Sequence, residues 1–249
     1  MEIPVRPKGD LWLQGKIAVV TGGGRGLGRA LVAALGAAGA DVAFSYRDSR
    51  TGAEQQARAL EASGRRAFLA AADARMPGEL AAFVDDAADA LGGLDYLVNN
   101  AGVFRKAPLE DLSEELLDEA FDVNVKAAVM ATRAAAPHMR KRGGGAVVNV
   151  ASLGGISAWP SYLPYCASKA ALLMATRCLA LALAPEIRVN AVAPGILETP
   201  GGPAALVRRV PLRRFGTLAE TVDAVLFLLA RATYTTGEVL RLDGGRALA

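Results

Sequence analysis

A tyrosine and a lysine four residues apart are the strongest candidates for chemistry in this sequence. Tyr165 and Lys169 precede an apolar run, Ala170–Ala184, that predicts a helix, and their spacing places both side chains on one face of it. A free phenol has a pKa of roughly 10, and bringing it about three units closer to neutrality requires on the order of 4 kcal/mol of preferential stabilisation of the phenolate. A neighbouring ammonium contributes to that stabilisation, so the pair predicts proton transfer.

Ser152 adds a hydroxyl, whereas the single histidine adds no chemistry that we can identify. Ser152 follows the predicted strand Ala146–Ala151, where loops form ligand crevices, and its hydroxyl can hydrogen-bond a substrate oxygen. His138 lies beside Arg140–Arg142 at the predicted end of a helix, where positive charge complements the helix dipole. We therefore interpret His138 as structural. With one histidine and two cysteines the chain cannot form a four-ligand Cys/His site, so we expect no metal.

A glycine-rich turn, Thr21–Gly28, lies between the first predicted strand and the first predicted helix. Such a turn lets backbone approach a pyrophosphate held at the helix N-terminus. Its spacing, with Gly22, Gly26 and Gly28, is GxxxGxG and differs from the common GxGxxG pattern. By itself the turn indicates a dinucleotide or simply a tight turn with about equal weight.

The end of the second predicted strand bears on the choice of dinucleotide. An acidic residue there usually accepts the ribose 2′-OH of NAD, whereas an arginine accommodates the 2′-phosphate of NADP. Neither Ser45 nor Tyr46 is acidic, and Arg47 together with Arg25 offers two guanidinium groups. NADP(H) is therefore favoured over NAD(H), although the nearby Asp48 keeps NAD(H) open.

Short β-branched runs alternate with Ala/Leu-rich segments of helical length throughout the chain. This alternation predicts an α/β fold, a single open and mainly parallel sheet of seven strands with helices on both faces. The predicted strands are Ile17–Thr21, Asp41–Tyr46, Arg66–Ala70, Tyr96–Asn99, Ala146–Ala151, Arg188–Val192 and Val239–Leu242. We expect an N-terminal extension over residues 1–14 and one domain over 15–249.

Composition excludes several classes of function. The net charge of +3 is small and dispersed, which argues against nucleic-acid binding. The start of the chain has no apolar run typical of a signal peptide, and Arg177 and Pro185 interrupt or bound the longest apolar stretch, so we expect no membrane span. Cys166 and Cys178 fit one helix and are expected to be reduced, which predicts a cytoplasmic protein.

The conjunction of these motifs resembles the short-chain dehydrogenases/reductases. The similarity is ordered and runs from about Gly15 to Gly245. The matching residues are Thr21–Gly28, Asp73, Asn99–Gly102, Asn124, Ser152, Tyr165, Lys169, Pro194-Gly195 with Thr199, and Thr236-Gly237 through Asp243–Gly245. The resemblance implies a single-domain Rossmann fold that is doubly wound.

The resemblance also implies catalytic roles. Tyr165 would be the general acid in reduction and the general base in oxidation. Lys169 would lower the pKa of Tyr165 and hold the nicotinamide ribose, Ser152 would orient the substrate oxygen, and Asn124 would belong to a proton relay. A purely structural role for Asn124 stays open.

Cofactor contacts are implied in the same way. Asp73 would contact adenine, Asn99 would stabilise the sheet and the adjacent cofactor, and Thr199 would hydrogen-bond the carboxamide. The predicted cofactor-binding residues are Gly22, Arg25, Gly26, Leu27, Gly28, Tyr46, Arg47, Asp73, Ala74, Asn99, Ala101, Gly102, Tyr165, Lys169, Pro194, Gly195 and Thr199. We interpret Asn100, Ser157, Ser161 and Ser168 as structural.

The substrate is less constrained than the reaction. The chain is similar to β-ketoacyl-acyl-carrier-protein reductases, so a 3-oxoacyl thioester is the first candidate, but the end of the helix after Lys169 lacks a basic residue to meet an acidic carrier. The turn at Ser45–Arg47 and Val210–Leu212 also resemble pteridine reductases, and a sugar or polyol dehydrogenase is a further alternative. A non-catalytic dinucleotide sensor is the alternative of another class. The family implies a homo-oligomer, a tetramer or dimer, through helices flanking residues 113–140 and 162–184.

Overall fold

Seven strands form one sheet in the computed structural model, which describes residues 11–198 and 204–248. The strands are β1 (Ile17–Val20), β2 (Asp41–Tyr46), β3 (Ala67–Ala71), β4 (Tyr96–Asn99), β5 (Gly145–Val150), β6 (Ile187–Pro194) and β7 (Val239–Leu242). Their order is β3-β2-β1-β4-β5-β6-β7, and all six pairings are parallel. This confirms the predicted α/β class and every predicted strand to within two residues at each end.

Helices cover both faces of the sheet. They are α1 (Gly26–Ala37), α2 (Arg50–Ala62), α3 (Pro77–Leu91), α4 (Glu114–Phe121), α5 (Ala127–Lys141), α6 (Leu163–Leu183) and α7 (Leu218–Ala230). Alternate strand residues point to opposite faces. Val20 and Val98 therefore join the core under α1, α2 and α7, whereas Val19 and Leu97 join the core under α3 and α5.

The order of the strands determines where a ligand can bind. The chain runs from β1 outward to β2 and β3, and then returns to β4 on the other side of β1. The connections after β1 and β4 therefore diverge to opposite faces and leave a crevice at the carboxyl ends of these two strands. The glycine turn follows β1, and Asn100–Gly102 follow β4.

Helix α6 is longer than the apolar run that predicted it. It has 21 residues, a mean hydropathy of 1.5 over its most apolar window, and is long and apolar enough to cross a membrane by length and composition. The apolar stretch is longer than predicted from the sequence, because the helix begins at Leu163 and not at Ala170. That the chain does not span a membrane stays a prediction. Within the fold, α6 buries Ser168, Lys169 and Thr176 against the domain, while Met174 and Leu181 are exposed. Part of the apolar surface of α6 is therefore not covered by the rest of the chain.

Candidate active site

The glycine turn after β1 needs glycine for two different reasons. Gly22 and Gly26 have φ angles of 70° and 52°, in the left-handed region that favours glycine. Gly28 is restricted by space instead, since a Cβ there would lie 2.1 Å from the carbonyl oxygen of Gly22. Arg25 precedes α1 and makes no side-chain cap, so no side chain at this position satisfies the first N–H groups of the helix.

Asn100 fixes the turn against the end of β4. Its side-chain amide donates to the carbonyl oxygens of Thr21 and Gly22, each at 3.0 Å. The Thr21 hydroxyl accepts from the backbone N–H groups of Asn100 and Ala101, each at 3.0 Å, and the Ser45 hydroxyl accepts from the N–H of Gly22 at 3.0 Å. The structural interpretation of Asn100 agrees with these bonds, but the residue also lines the cavity described next.

A cavity of about 660 Å³ lies over the glycine turn and extends past the ends of β2 and β3. Eleven of the predicted cofactor residues line it: Gly22, Arg25, Gly26, Leu27, Gly28, Tyr46, Arg47, Asp73, Ala74, Ala101 and Gly102. The uncapped N-terminus of α1 suits a phosphate, and the lining residues reach from the glycine turn past the ends of β2 and β3, which gives room for the rest of a dinucleotide. The residues present therefore fit a nicotinamide dinucleotide.

Charged side chains at the far end of this cavity are partly paired. The Nε of Arg47 donates to Oδ2 of Asp48 at 2.6 Å. Asp73 accepts from Nε of Arg75 at 2.9 Å, and this guanidinium lowers the pKa of the Asp73 carboxyl despite some desolvation. Arg25 forms no ion pair with any residue in the described part of the chain. The positive charge facing the cavity is therefore less than the sequence suggests.

Asn99 does not face the cavity. Its Nδ2 donates to Oδ1 of Asn149 at 2.8 Å, to Oγ1 of Thr132 at 3.0 Å and to the carbonyl of Ala128 at 3.2 Å. The side chain therefore ties β4 to β5 and α5, in agreement with its expected role in the sheet. The predicted contact with the cofactor is corrected, because in the parallel strand the residue points to the α5 face.

A second cavity of about 240 Å³ adjoins the first. It brings together seven residues that the sequence placed in the site, namely Leu27, Gly102, Ser152, Tyr165, Lys169, Pro194 and Gly195. Five residues line both cavities, so the two spaces are adjacent: Leu27, Asn100, Gly102, Val103 and Phe104. Thr199 lies outside the described residues.

Tyr165 lies in the first turn of α6, facing Ser152 at the end of β5. Burial raises the pKa of the Tyr165 phenol, and hydrogen bonding to Ser152 partly opposes that rise. The Ser152 hydroxyl also accepts from the N–H of Gly154 at 3.0 Å, which fixes its position. The protein itself therefore holds the phenol in its protonated form.

Lys169 is buried one turn further along α6, with 4% of its surface exposed. Its Nζ donates to the carbonyl oxygen of Val150 at 2.8 Å and lies 6.0 Å from the centre of the Tyr165 ring. Burial lowers the pKa of Lys169 to about 8. The expected lowering of the Tyr165 pKa by Lys169 is thus not met by the protein alone, because desolvation dominates at both groups.

Asn124 lies behind the cavities in a short π-helix, Asp122–Lys126, between α4 and α5. Its Oδ1 accepts from the N–H of Val103 at 2.9 Å, and its Nδ2 donates to the carbonyl of Val103 at 3.1 Å and to Oγ of Ser168 at 2.9 Å. A Cβ on Gly102 would lie 3.1 Å from Asn124 Oδ1 and 3.6 Å from Lys169 Nζ. A side chain at position 102 would therefore crowd Asn124 and contact Lys169.

His138 lies away from both cavities. Its Nε2 lies 2.8 Å from Oδ1 of Asp85, which links α5 to α3. This agrees with its structural interpretation.

Comparison with known proteins identifies the family. Residues 22–247 match the family model described as Enoyl-(Acyl carrier protein) reductase. The chain belongs to the short-chain dehydrogenase/reductase family. Its relatives include the L-xylulose reductase of Mesocricetus auratus, 38% identical over 250 residues (95% of this chain, 98% of that protein). The 3beta-hydroxysteroid dehydrogenase 1 of Eggerthella lenta is 36% identical over 248 residues, 95% of each chain.

Solved structures agree with this assignment. A short chain dehydrogenase from Burkholderia cenocepacia J2315, crystallised in complex with NADP, has a TM-score of 0.89 and 39% identity, covering 95% of this chain and 99% of that one. This dehydrogenase/reductase is accordingly an oxidoreductase that acts on CH–OH groups and binds a nicotinamide dinucleotide.

Aromatic side chains around Tyr165 form a part of the site that we did not identify from the sequence of this dehydrogenase/reductase. Phe104 and Trp159 contact the Tyr165 ring, and Tyr162 contacts both of them; we call these four residues the ring cluster. The signal was available in part, because Trp159, Tyr162 and Tyr165 recur at intervals of three residues. Phe104, by contrast, comes from the loop after β4, and only the tertiary fold brings it to α6.

Proposed function

We propose that this protein is an NADP(H)-dependent oxidoreductase that interconverts a ketone and a secondary alcohol. One observation carries the proposal: Ser152, Tyr165 and Lys169 line one cavity, and that cavity adjoins the cavity over the glycine turn. The nicotinamide, when bound, supplies or accepts the hydride. The residues of this chain position the substrate and move the proton.

In reduction, Tyr165 donates its phenolic proton to the carbonyl oxygen as that oxygen gains negative charge. The Ser152 hydroxyl hydrogen-bonds the same oxygen and fixes its distance from the phenol. Burial keeps the Tyr165 phenol protonated, which suits a general acid. In oxidation the same phenol must first lose its proton so that it can act as the general base.

Lys169 and Asn124 act behind the phenol. The Lys169 ammonium holds the nicotinamide ribose and stabilises the phenolate left after proton transfer. Asn124 Nδ2 donates to Ser168, whose hydroxyl donates to the carbonyl of Tyr165 at 2.9 Å. These bonds tie Asn124 to the first turn of α6 and support a positioning role. They do not reach Lys169, whose Nζ donates to Val150, so the relay to Lys169 rests on the family resemblance.

The preference for NADP(H) rests on Arg25 and Arg47 at the far end of the first cavity. A 2′-phosphate there gains charge-assisted hydrogen bonds that a 2′-OH does not. Asp48 competes for Arg47, so we expect a moderate preference rather than an absolute one.

A 3-oxoacyl thioester is the first candidate substrate, and a specific surface supports it. Four arginines are exposed before α7: Arg208 and Arg209 end the 3-10 helix Ala204–Arg209, and Arg213 and Arg214 follow it, with Arg214 paired to Glu220. They supply the positive charge that the end of α6 lacks, and neighbouring Leu212 lines a cavity that shares Leu197 with the catalytic cavity. Acidic carriers and the phosphates of coenzyme A are both suited to this surface.

A sugar or polyol is the second candidate, since one relative is an L-xylulose reductase. A pteridine, which is planar, is compatible with the ring cluster. NADPH consumption with any of these substrates would distinguish the enzyme from a non-catalytic sensor, which would bind NADPH without consuming it.

The assay is NADPH consumption with a 3-oxoacyl pantetheine thioester, xylulose and a pterin. We expect turnover that falls about 100- to 10,000-fold in Tyr165→Phe, while NADPH binding is retained. Tyr234→Phe, which changes a fully exposed tyrosine, is the matched control. NADPH binding without turnover of any ketone would favour the sensor.

Assembly and location complete the proposal. The uncovered apolar residues Met174 and Leu181 of α6 support a homo-oligomer, a dimer or tetramer, over insertion in a membrane. The thiols of Cys166 and Cys178 are free, which fits the cytoplasm. Sedimentation of the wild type against Leu181→Glu tests the assembly.

A further inference from the structure

The Tyr165 ring is flanked by rings on two sides. The Phe104 ring meets it edge to face, with centroids 4.7 Å apart and planes at 79°. The Trp159 ring lies nearly parallel to it, with centroids 6.1 Å apart and planes at 21°. These are the offset and T-shaped geometries that aromatic pairs prefer. Phe104 and Trp159 therefore enclose the phenol that we propose as the proton donor, and we call this pair of rings the aromatic wall.

Phe104 is unusually accessible for such a ring. It is 59% exposed, although it stacks on Tyr162 with centroids 4.7 Å apart, and it lines both cavities at the point where they meet. A phenylalanine that only packed the fold would bury most of its surface. Its free surface faces the space that a substrate must cross to reach Tyr165.

A cation also contacts the Trp159 ring of the aromatic wall. The Arg246 guanidinium, in the short 3-10 helix Arg246–Leu248, lies 5.4 Å from the centre of the Trp159 ring. This is within the range of a cation–π interaction. A Cβ on Gly154 would lie 3.2 Å from Cζ3 of Trp159, so the ring is also confined from beneath. Trp159 is therefore held in place before any substrate arrives.

We infer that the reacting ketone carries an aromatic group, which packs against the exposed surface of Phe104 while its carbonyl oxygen meets Tyr165 and Ser152. Trp159 contacts Phe104 edge to face and holds it in position. This inference rests on the proposed function and narrows its substrate class. An aromatic ring gains edge and offset contacts with the wall that a saturated ring of the same size cannot make. A 3-oxoacyl thioester with an aryl group on the ketone carbon satisfies both the wall and the exposed arginines.

The test compares two ketones that differ only in the ring. Ethyl benzoylacetate carries a phenyl group where ethyl 3-cyclohexyl-3-oxopropanoate carries a saturated ring. Because the two ketones differ in intrinsic reactivity, the quantity measured is the phenyl-to-cyclohexyl ratio of kcat/KM in each variant relative to the wild type. We expect Phe104→Leu and Trp159→Leu each to lower this ratio about 5- to 10-fold.

Tyr234→Leu is the matched control, since it removes an aromatic ring that is fully exposed and distant in sequence. Its ratio should equal that of the wild type. An unchanged ratio in both Phe104→Leu and Trp159→Leu, with reduction of both ketones intact, would overturn the aromatic assignment and leave the proposed function standing.

A binding measurement separates the two proposals if turnover is absent. The chain has two tryptophans, so Trp12→Phe leaves Trp159 as the sole tryptophan reporter. Saturable quenching of Trp159 by ethyl benzoylacetate, but not by the cyclohexyl ester, supports the aromatic subsite even if neither ketone is reduced, in which case the proposed function fails alone. No quenching and no turnover would overturn the subsite.

Discussion

The two cavities that meet at Asn100 and Gly102 are built from different material. The first is shaped by backbone: Gly22 and Gly26 have left-handed conformations, and Gly28 leaves no room for a Cβ. The second is shaped by buried side chains, with Ser152 and Lys169 only 5% and 4% exposed. A change in the first cavity therefore acts through sterics and binding. A change in the second acts through protonation, and it can lower activity and raise stability together.

Replacing Lys169 should give the largest effect, because it changes activity and stability in opposite directions. Lys169→Met should lower reductase activity on the order of 100-fold or more, because the phenolate loses its ammonium. The same change should stabilise the protein at pH 7. Burial lowers the Lys169 pKa to about 8 from 10.5, which corresponds to roughly 3 kcal/mol of cost in the folded state. Denaturant unfolding of both proteins measures the gain, which the lost bond to Val150 reduces.

The pH dependence of that gain has a definite sign. Between pH 8 and 10.5 the unfolded chain binds more protons at Lys169 than the folded one, so wild-type stability rises with pH across this window. The advantage of Lys169→Met should be complete below pH 8 and fade towards pH 10.5. Lys141→Met, at an exposed lysine, should show neither effect. A stability loss at pH 7 would contradict the desolvation argument.

The next largest effect is expected in the glycine turn. Gly28→Ala places a Cβ 2.1 Å from the Gly22 carbonyl oxygen, so the backbone must shift, and we expect about 1–3 kcal/mol of destabilisation with at least a tenfold weaker NADPH affinity. Gly26→Ala meets no atom within 4 Å and costs only its left-handed φ, about 1 kcal/mol. Unfolding and NADPH fluorescence titrations compare the two variants. Equal losses would mean that conformation, not space, limits this turn.

Much of the first cavity could be predicted because its signal is local. The turn, its strand and its helix are consecutive, so spacing alone places Gly22, Gly26 and Gly28 at the N-terminus of α1. The same holds for Tyr165 and Lys169, which share one helix. Asn99 shows the limit: its motif was recognised, but the face on which its side chain lies depends on strand register.

The rest of the second cavity depends on contacts between distant segments. Phe104 reaches the ring cluster from the loop after β4, a segment about sixty residues before Tyr165 in the chain. Asn124 lies in a short π-helix, which residue propensities for helix and strand do not predict. The desolvation that raises the pKa of Tyr165 arises from the whole packed surroundings. None of these is encoded in a short pattern.

Replacing Arg47 tests whether a side chain in the first cavity contributes to cofactor binding. Arg47→Ala should lower kcat/KM for NADPH about tenfold and leave NADH nearly unchanged, because only the 2′-phosphate gains a charge-assisted hydrogen bond there. Arg58→Ala, at an exposed arginine of α2 outside the cavity, is the control. Parallel losses with both cofactors would assign Arg47 to the fold instead.

Asp48 should give the smallest effect and the opposite sign. Its carboxylate accepts from Arg47 Nε at 2.6 Å, and its side chain is 70% exposed. A pair so exposed contributes little, commonly under about 1 kcal/mol. Asp48→Asn should therefore raise the NADPH-to-NADH ratio of kcat/KM only about threefold, by releasing Arg47 for the phosphate and removing a negative charge from its surroundings. The gain should vanish in Arg47→Ala/Asp48→Asn if it acts through Arg47. A gain that persists in the double variant would instead point to direct repulsion between Asp48 and the phosphate.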